Sequence, residues 1–222
     1  MSKVAVIDYD AGNTKSVVKA LEYLGNDVLL TRDAKALAGS DRVIFPGVGA
    51  YFDAINRLES YQLTAVIREL TQKNVPFLGI CLGMQMLFSD SEETEGCPDT
   101  AVSTVRGLNI MSGHILRFRS DMPDPSHICD SDTLKIPHMG WNSINLTKAS
   151  SRLFKGLGSE EYMYFVHSYY LRADNPDDVA ATCAYGIEFD CAVEHGNIFG
   201  CQFHPEKSGE AGLEVLANFC RL

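Results

Sequence analysis

The 222-residue chain carries a formal charge of -10, with 45% hydrophobic and 22% charged residues. These are globular proportions, and the acidic balance argues against nucleic acid or an anionic membrane as a partner, because both recruit basic surfaces. Seven cysteines lie without paired spacing, no apolar stretch is long enough to span a bilayer, and only four apolar residues stand between Lys3 and Asp8. The expectation is a soluble protein of a reducing cytoplasm, folded as one domain over residues 1–222.

In chain order, Val4 to Ile7 reads as a buried strand and Gly12-Asn13 as the turn after it. Thr14 to Leu24 reads as a helix, with Val17, Leu21 and Leu24 on one face and Gly25 closing it. Val28 to Leu30 and Val43 to Phe45 are two more short strands. Leu63, Val66, Ile67 and Leu70 mark a helix before the apolar run Phe77 to Ile80. Strands alternating with amphipathic helices predict an α/β fold, with a mostly parallel central sheet covered on both faces. Residues 104–147 read as short strands and loops, with a polar stretch from Ser120 to Thr133. Tyr162 to Tyr170 and Asn197 to His204 are strand-like, which adds short antiparallel strands to the second half. A terminal helix places Leu213, Leu216, Ala217 and Cys220 on one face.

The most informative segment is Pro76-Phe77-Leu78-Gly79-Ile80-Cys81-Leu82-Gly83-Met84-Gln85. A strand-like run ends in a cysteine with glycine two residues away on each side, and a helical pattern follows. This is the logic of a nucleophile elbow with sulfur in place of a serine oxygen. The N–H groups of the first helical turn favour a thiolate there and, beginning with Leu82, suit an oxyanion on a substrate carbonyl. Taken alone, the segment equally accommodates a buried cysteine that acts as a small hydrophobe.

Ile198-Phe199-Gly200-Cys201-Gln202-Phe203-His204-Pro205-Glu206 supplies what a cysteine nucleophile lacks. Residues two apart on a strand share a face, so His204 and Glu206 are expected to project together, with Pro205 marking the strand end. A carboxylate beside an imidazole fixes its tautomer and stabilises its protonated form. Cys201 and His204 as half of a metal site find no second half of matching spacing, so no metal is called for. Phe45-Pro46-Gly47-Val48-Gly49 follows a strand and offers backbone N–H groups. Without Cys81 it is an ordinary turn signal.

Together, Pro46 to Gly49, Gly79 to Gln85 and His204 to Glu206 resemble the class I glutamine amidotransferases, in an order that covers nearly the whole chain. Pro137-His138-Met139-Gly140-Trp141-Asn142 and Tyr164-Phe165-Val166-His167-Ser168-Tyr169-Tyr170 narrow the resemblance to the glutaminase subunits of imidazole glycerol phosphate synthase. Similar glutaminases of surface-sugar synthesis are the alternative. A cysteine hydrolase outside this family is a more distant one, separable by a glutamine-shaped electrophile at Cys81.

The resemblance implies a flavodoxin-like architecture. It makes Cys81 the nucleophile, His204 the base and acid, and Glu206 its orienting partner. The backbone of Gly47, Val48, Gly49 and Leu82 would bind the oxyanion, while Gln85, Glu93, Ser168 and Tyr169 would hold glutamine. No cofactor is implied. The expected activity is glutamine hydrolysis through a cysteine thioester, with ammonia passed to a β/α-barrel synthase (cyclase) subunit in a heterodimer of histidine biosynthesis. Asn13, His138, Met139 and Trp141 are the candidates for that interface. Two segments depart from the family pattern: Asp10 to Asn13 is poorer in glycine, and Arg119 to Lys135 is longer and more acidic.

Overall fold

A computed structural model describes residues 3–10, 13–99, 101–122 and 133–222. The expected turn at Gly12 and residues 123–132 of the polar stretch therefore lie outside the described residues. The first half runs β1 (Lys3–Ile7), α1 (Thr14–Tyr23), β2 (Asp27–Thr31), α2 (Ala34–Ala38), β3 (Arg42–Gly47), α3 (Tyr51–Ser60), α4 (Leu63–Gln72), β4 (Phe77–Cys81) and α5 (Leu82–Gln85). The second half holds β5 (Asp90–Ser91), β6 (Val105–Arg106), β7 (Gly113–Arg117), β8 (His138–Leu146), β9 (Glu160–His167), β10 (Tyr169–Ala173), β11 (Val179–Tyr185), β12 (Ile187–His195), β13 (Ile198–Cys201) and α6 (Gly209–Cys220).

Among the described residues all thirteen strands join one sheet. Its parallel part has the order β2-β1-β3-β4-β13. At β12 the pairing turns antiparallel, and β10 and β7 continue the sheet. A second arm of antiparallel pairs, β12-β11-β8-β9, leaves from the same strand. The antiparallel half is thus fused to the parallel one and larger than short strands suggest. In particular, β8 is nine residues long and pairs with β9 from His138↔His167 to Asn145↔Glu160.

Strand periodicity divides the core in two. Val4 and Val6 of β1 face one cluster with Val17 and Leu21 of α1 and Val215, Leu216 and Phe219 of α6. Ala5 and Ile7 face the other, with Leu37 of α2, Tyr51 and Leu58 of α3, and Ile67 and Leu70 of α4. This alternation places helices on both faces. Helices α2 and α3 have no counterpart in the sequence reading. The face of α6 also differs from expectation. Val215, Asn218 and Phe219 are buried beside Leu216 and Ala217, while Leu213 and Cys220 are half-buried. The helix is wedged between strands and turn on several sides, so a one-face pattern describes it poorly.

Under the antiparallel half lies an aromatic cluster. Phe189 is fully buried, with ring centroids 5.6 Å from Phe118, 6.1 Å from Phe165 and 5.3 Å from His167. Replacing Phe189 by alanine empties the centre of this cluster and should cost about 3–5 kcal/mol of unfolding free energy. Urea denaturation checks this; a loss under about 1 kcal/mol would mean that the cluster collapses around the gap.

Candidate active site

Strand β4 delivers Cys81 to the carboxyl edge of the parallel sheet, where ligand sites of open α/β folds lie. The turn into α5 holds Cys81 at φ 54° and ψ -114°, a conformation that L residues rarely adopt. Glycines make this corner possible by permitting close approach. A Cβ on Gly83 would lie 1.8 Å from the Phe45 carbonyl oxygen, and one on Gly79 would lie 2.7 Å from Cα of Met84. The helix after Cys81 therefore packs directly on β3 and β4, backbone against backbone.

The Gly47–Gly49 segment ends β3 beside the corner. Gly47 pairs with Cys81 across the sheet, and its hypothetical Cβ would meet Gly83 N at 2.6 Å. Gly49 has φ +101°. Val48, Gly49, Cys81, Leu82 and His204 line one cleft of about 330 Å³, with Gln85, Glu93, Ser168 and Tyr169 on its other walls. These residues come from five separate segments of the sequence, and here they share a single cavity.

His204 and Glu206 pair, although not as strand neighbours. β13 stops at Cys201, and Pro205 to Lys207 form a single 3-10 turn with His204 at its head. That turn folds the carboxylate back so that His204 Nδ1 lies 2.9 Å from Glu206 Oε1. Asn13 Nδ2 donates to the same oxygen at 3.2 Å, which ties the start of α1 to the pair. The far nitrogen of the ring, Nε2, is buried with no hydrogen-bond partner. Burial by itself would pull the His204 pKa down. The negative charge of Cys81 beside the ring and the Glu206 carboxylate on Nδ1 outweigh that and raise it to about 10.

Two of the glutamine-facing candidates, Gln85 and Tyr169, meet in a buried amide network. Gln85 Nε2 donates to the Tyr169 carbonyl at 3.0 Å and to Gln202 Oε1 at 2.9 Å. Gln202 Nε2 in turn lies 3.7 Å from Cys81 Sγ. Gln202 was not singled out by sequence, although its place between Cys201 and His204 makes it a neighbour of the site by position alone. Glu93 Oε1 accepts from Tyr51 N at 3.2 Å. Its pKa rises to about 7, chiefly through burial, against the Tyr51 hydrogen bond and with help from the Glu95 charge. Glu95, exposed nearby, accepts from the Tyr169 hydroxyl at 2.8 Å and 3.0 Å.

Three of the four interface candidates lie on β8 and separate by strand alternation. Met139 and Trp141 project outward, 60% and 56% exposed, and Tyr162 on β9 joins them at 59%. His138 points inward and is buried, so it offers no surface to a partner. Asn13 is half-buried, its side chain committed to Glu206 and Ser16. Val166, which lines the cleft, pairs with Met139, and Tyr164 pairs with Trp141. The outward face of β8 and β9 thus runs from the cleft wall to Trp141.

The backbone strain at Cys81 has a measurable consequence. Cys81→Gly should be about 1 kcal/mol more stable than Cys81→Ala, because glycine accepts this conformation and alanine does not. Thermal or urea denaturation of the two variants compares them directly. Equal stabilities would show that the corner is unstrained.

Comparison with known proteins agrees with the geometry. Residues 5–222 match the family model described as Glutamine amidotransferase class-I. The chain is 45% identical to the imidazole glycerol phosphate synthase subunit HisH of Methylococcus capsulatus, over 100% of this chain and 97% of that one. It is 42% identical to the subunit of the same name from Moorella thermoacetica, covering 100% and 96%. Among solved structures, PurLQS from Thermotoga maritima superposes with a TM-score of 0.71 over 100% of this chain and 99% of that one. At 17% identity this likeness concerns the fold alone.

Proposed function

Because the chain belongs to the class I glutamine amidotransferase family, we propose that it is the glutaminase subunit of an imidazole glycerol phosphate synthase. In this reading it hydrolyses glutamine and passes ammonia to a synthase subunit. That subunit, a β/α-barrel cyclase, makes imidazole glycerol phosphate and the aminoimidazole carboxamide ribonucleotide of histidine biosynthesis. The 222 residues act as one glutaminase domain in the cytoplasm. The observation that carries the proposal is a cysteine at a positive-φ corner sharing its cleft with a histidine whose Nδ1 is held by a buried carboxylate.

The Cys81 thiolate attacks the side-chain amide carbon of glutamine, forming a C–S bond. The carbonyl oxygen takes up negative charge and is met by backbone N–H groups of Leu82 and of the Gly47–Gly49 segment. His204, held as imidazolium between Cys81 and Glu206, gives its Nε2 proton to the departing nitrogen. The C–N bond breaks and ammonia leaves a glutamyl thioester. His204 then takes a proton from water, whose oxygen attacks the thioester. Glutamate departs and the thiolate is restored. Gln85, Ser168 and Tyr169 position the substrate, and Glu93 faces its α-ammonium group.

Ammonia in neutral water is mostly protonated and no longer a nucleophile, so transfer needs a sheltered route to a partner active site. The exposed Met139, Trp141 and Tyr162 form an apolar surface continuous with the cleft wall at Val166. A face of this kind beside the site suits a docked synthase subunit.

Cys81→Ala should reduce glutamine hydrolysis to background while leaving the fold intact; undiminished turnover would refute the mechanism. A glutaminase assay on the chain alone should give slow hydrolysis. Adding a histidine-pathway barrel cyclase with its phosphoribosyl substrate should raise it by about 10- to 100-fold. Full activity without a partner would contradict the assignment as a controlled subunit.

Glutamine binding should depend on pH through Glu93. The raised pKa means that the group is a neutral acid below about 7 and a carboxylate above it. Only the carboxylate attracts an ammonium group, so KM for glutamine should fall as pH rises through about 7. Glu93→Gln should raise KM and flatten that dependence. A pH profile of KM that Glu93→Gln leaves unchanged would remove Glu93 from the site.

A further inference from the structure

Two histidines of the antiparallel half lie outside the catalytic scheme and are linked in a row. His138 Nδ1 is 2.9 Å from His167 Nε2, and His167 Nδ1 is 2.8 Å from the Tyr169 carbonyl oxygen. Beyond them, Asn142 Nδ2 is 3.2 Å from His138 Nε2. The proton order in this row is fixed by its two ends. A carbonyl only accepts, so His167 carries its proton on Nδ1, and its Nε2 accepts from His138 Nδ1–H. His138 Nε2 is then an acceptor, and it faces the amide nitrogen of Asn142. The orientation of that amide is set independently: its nitrogen also donates to the Ala184 carbonyl at 3.0 Å, and its oxygen accepts from Ser143 N at 2.9 Å.

The inner end of the row reaches the substrate wall. The Tyr169 carbonyl that receives His167 also receives Gln85 Nε2, whose other hydrogen goes to Gln202. Both amide hydrogens of Gln85 are committed in this way, so its oxygen is the atom it has left to offer a ligand. We propose that His138 and His167 are positioning residues for the glutamine cleft: the two neutral imidazoles, donating in series, hold the Tyr169 carbonyl and with it the Ser168–Tyr169 wall and the Gln85 amide. This inference rests on the glutaminase reading and adds to it a source of cleft geometry on β8, the strand whose outward face carries Met139 and Trp141.

The surroundings keep both rings uncharged. His138 is stacked between Phe165 at 4.8 Å and Tyr185 at 4.0 Å. Burial pushes its pKa down to about 4. For His167, burial and then the neighbouring His138 lower the pKa to about 3, with the Tyr169 hydrogen bond opposing them and His204 adding to the depression. An imidazolium at His167 could not accept from His138, and one at His138 could not accept from Asn142.

The test combines kinetics with tautomer assignment on the full chain, the kinetics in complex with its synthase subunit. His138→Phe keeps a ring in the stack and removes the donor to His167. It should raise KM for glutamine about tenfold, with kcat within about twofold and only the modest fall in melting temperature expected for one unpaired buried acceptor on His167. An unchanged KM would overturn the proposal, as would a parallel loss of kcat and stability, which is the signature of damaged packing. Nitrogen NMR of the imidazoles in the unsubstituted chain should show both rings in the neutral Nδ1–H form at neutral pH; an Nε2–H form in either ring would overturn it even if the variant fails to fold. A wild-type chain without glutaminase activity would sink the functional reading, whereas active wild type with an indifferent His138→Phe would sink this inference alone.

Discussion

The backbone of α5 lies against β3 with no room for a side chain between them, and the chemistry of the molecule is built outward from that contact. Gly83 must approach the Phe45 carbonyl for the chain to turn as sharply as it does after β4. The turn in turn holds Cys81 in a conformation that costs of the order of 1–3 kcal/mol for a residue other than glycine. What this cost supports is placement: Cys81 lines the cleft at the head of a helix and beside an imidazole. A more relaxed corner would return the side chain to the core, where the remaining buried cysteines of the sheet lie.

The partner of that sulfur arrives by a different local device. His204 sits past the end of β13 at the start of a 3-10 turn, and the turn brings Glu206 back onto the ring. Proline at the first position of the turn favours it, because its fixed φ suits the turn and its missing N–H is not needed there. The carboxylate is almost fully buried. A buried anion of this kind is tolerable when it is paired, and His204 and Asn13 both meet its Oε1. Charge on the imidazole is thereby stabilised from both ends, by a carboxylate on one nitrogen and by Cys81 on the side of the other.

How much of this was legible in the sequence depended on whether the cause was local. The elbow was legible because its glycines are spaced by the turn itself, and the early strands and helices because their burial follows simple periods. The pairing of His204 with Glu206 was anticipated for a wrong local reason, strand alternation in place of a 3-10 turn, since Pro205 fits either reading. The one-face pattern drawn for α6 failed because that helix is enclosed on several sides. His138 was read with its exposed neighbours Met139 and Trp141, yet alternation on a nine-residue strand sends it inward. No run of residues announces the row from Asn142 to Tyr169: its members become neighbours only when β8 pairs with β9 in a register that sets His138 opposite His167.

Strand β13 enters the sheet between β4 and β12, although 116 positions separate Ile198 from Leu82 in numbering. During synthesis β4 is made long before the strand that covers its free edge, and during that interval the strand that carries Cys81 presents unpaired backbone to solvent and to other chains. Loop closure over so great a separation is slow compared with the assembly of the β1–β4 unit. The Cys81 sulfur therefore precedes the His204 imidazole, and the arrival of the segment from Ile198 onward performs two tasks in a single event: it seals an aggregation-prone border and brings the imidazole to the thiol.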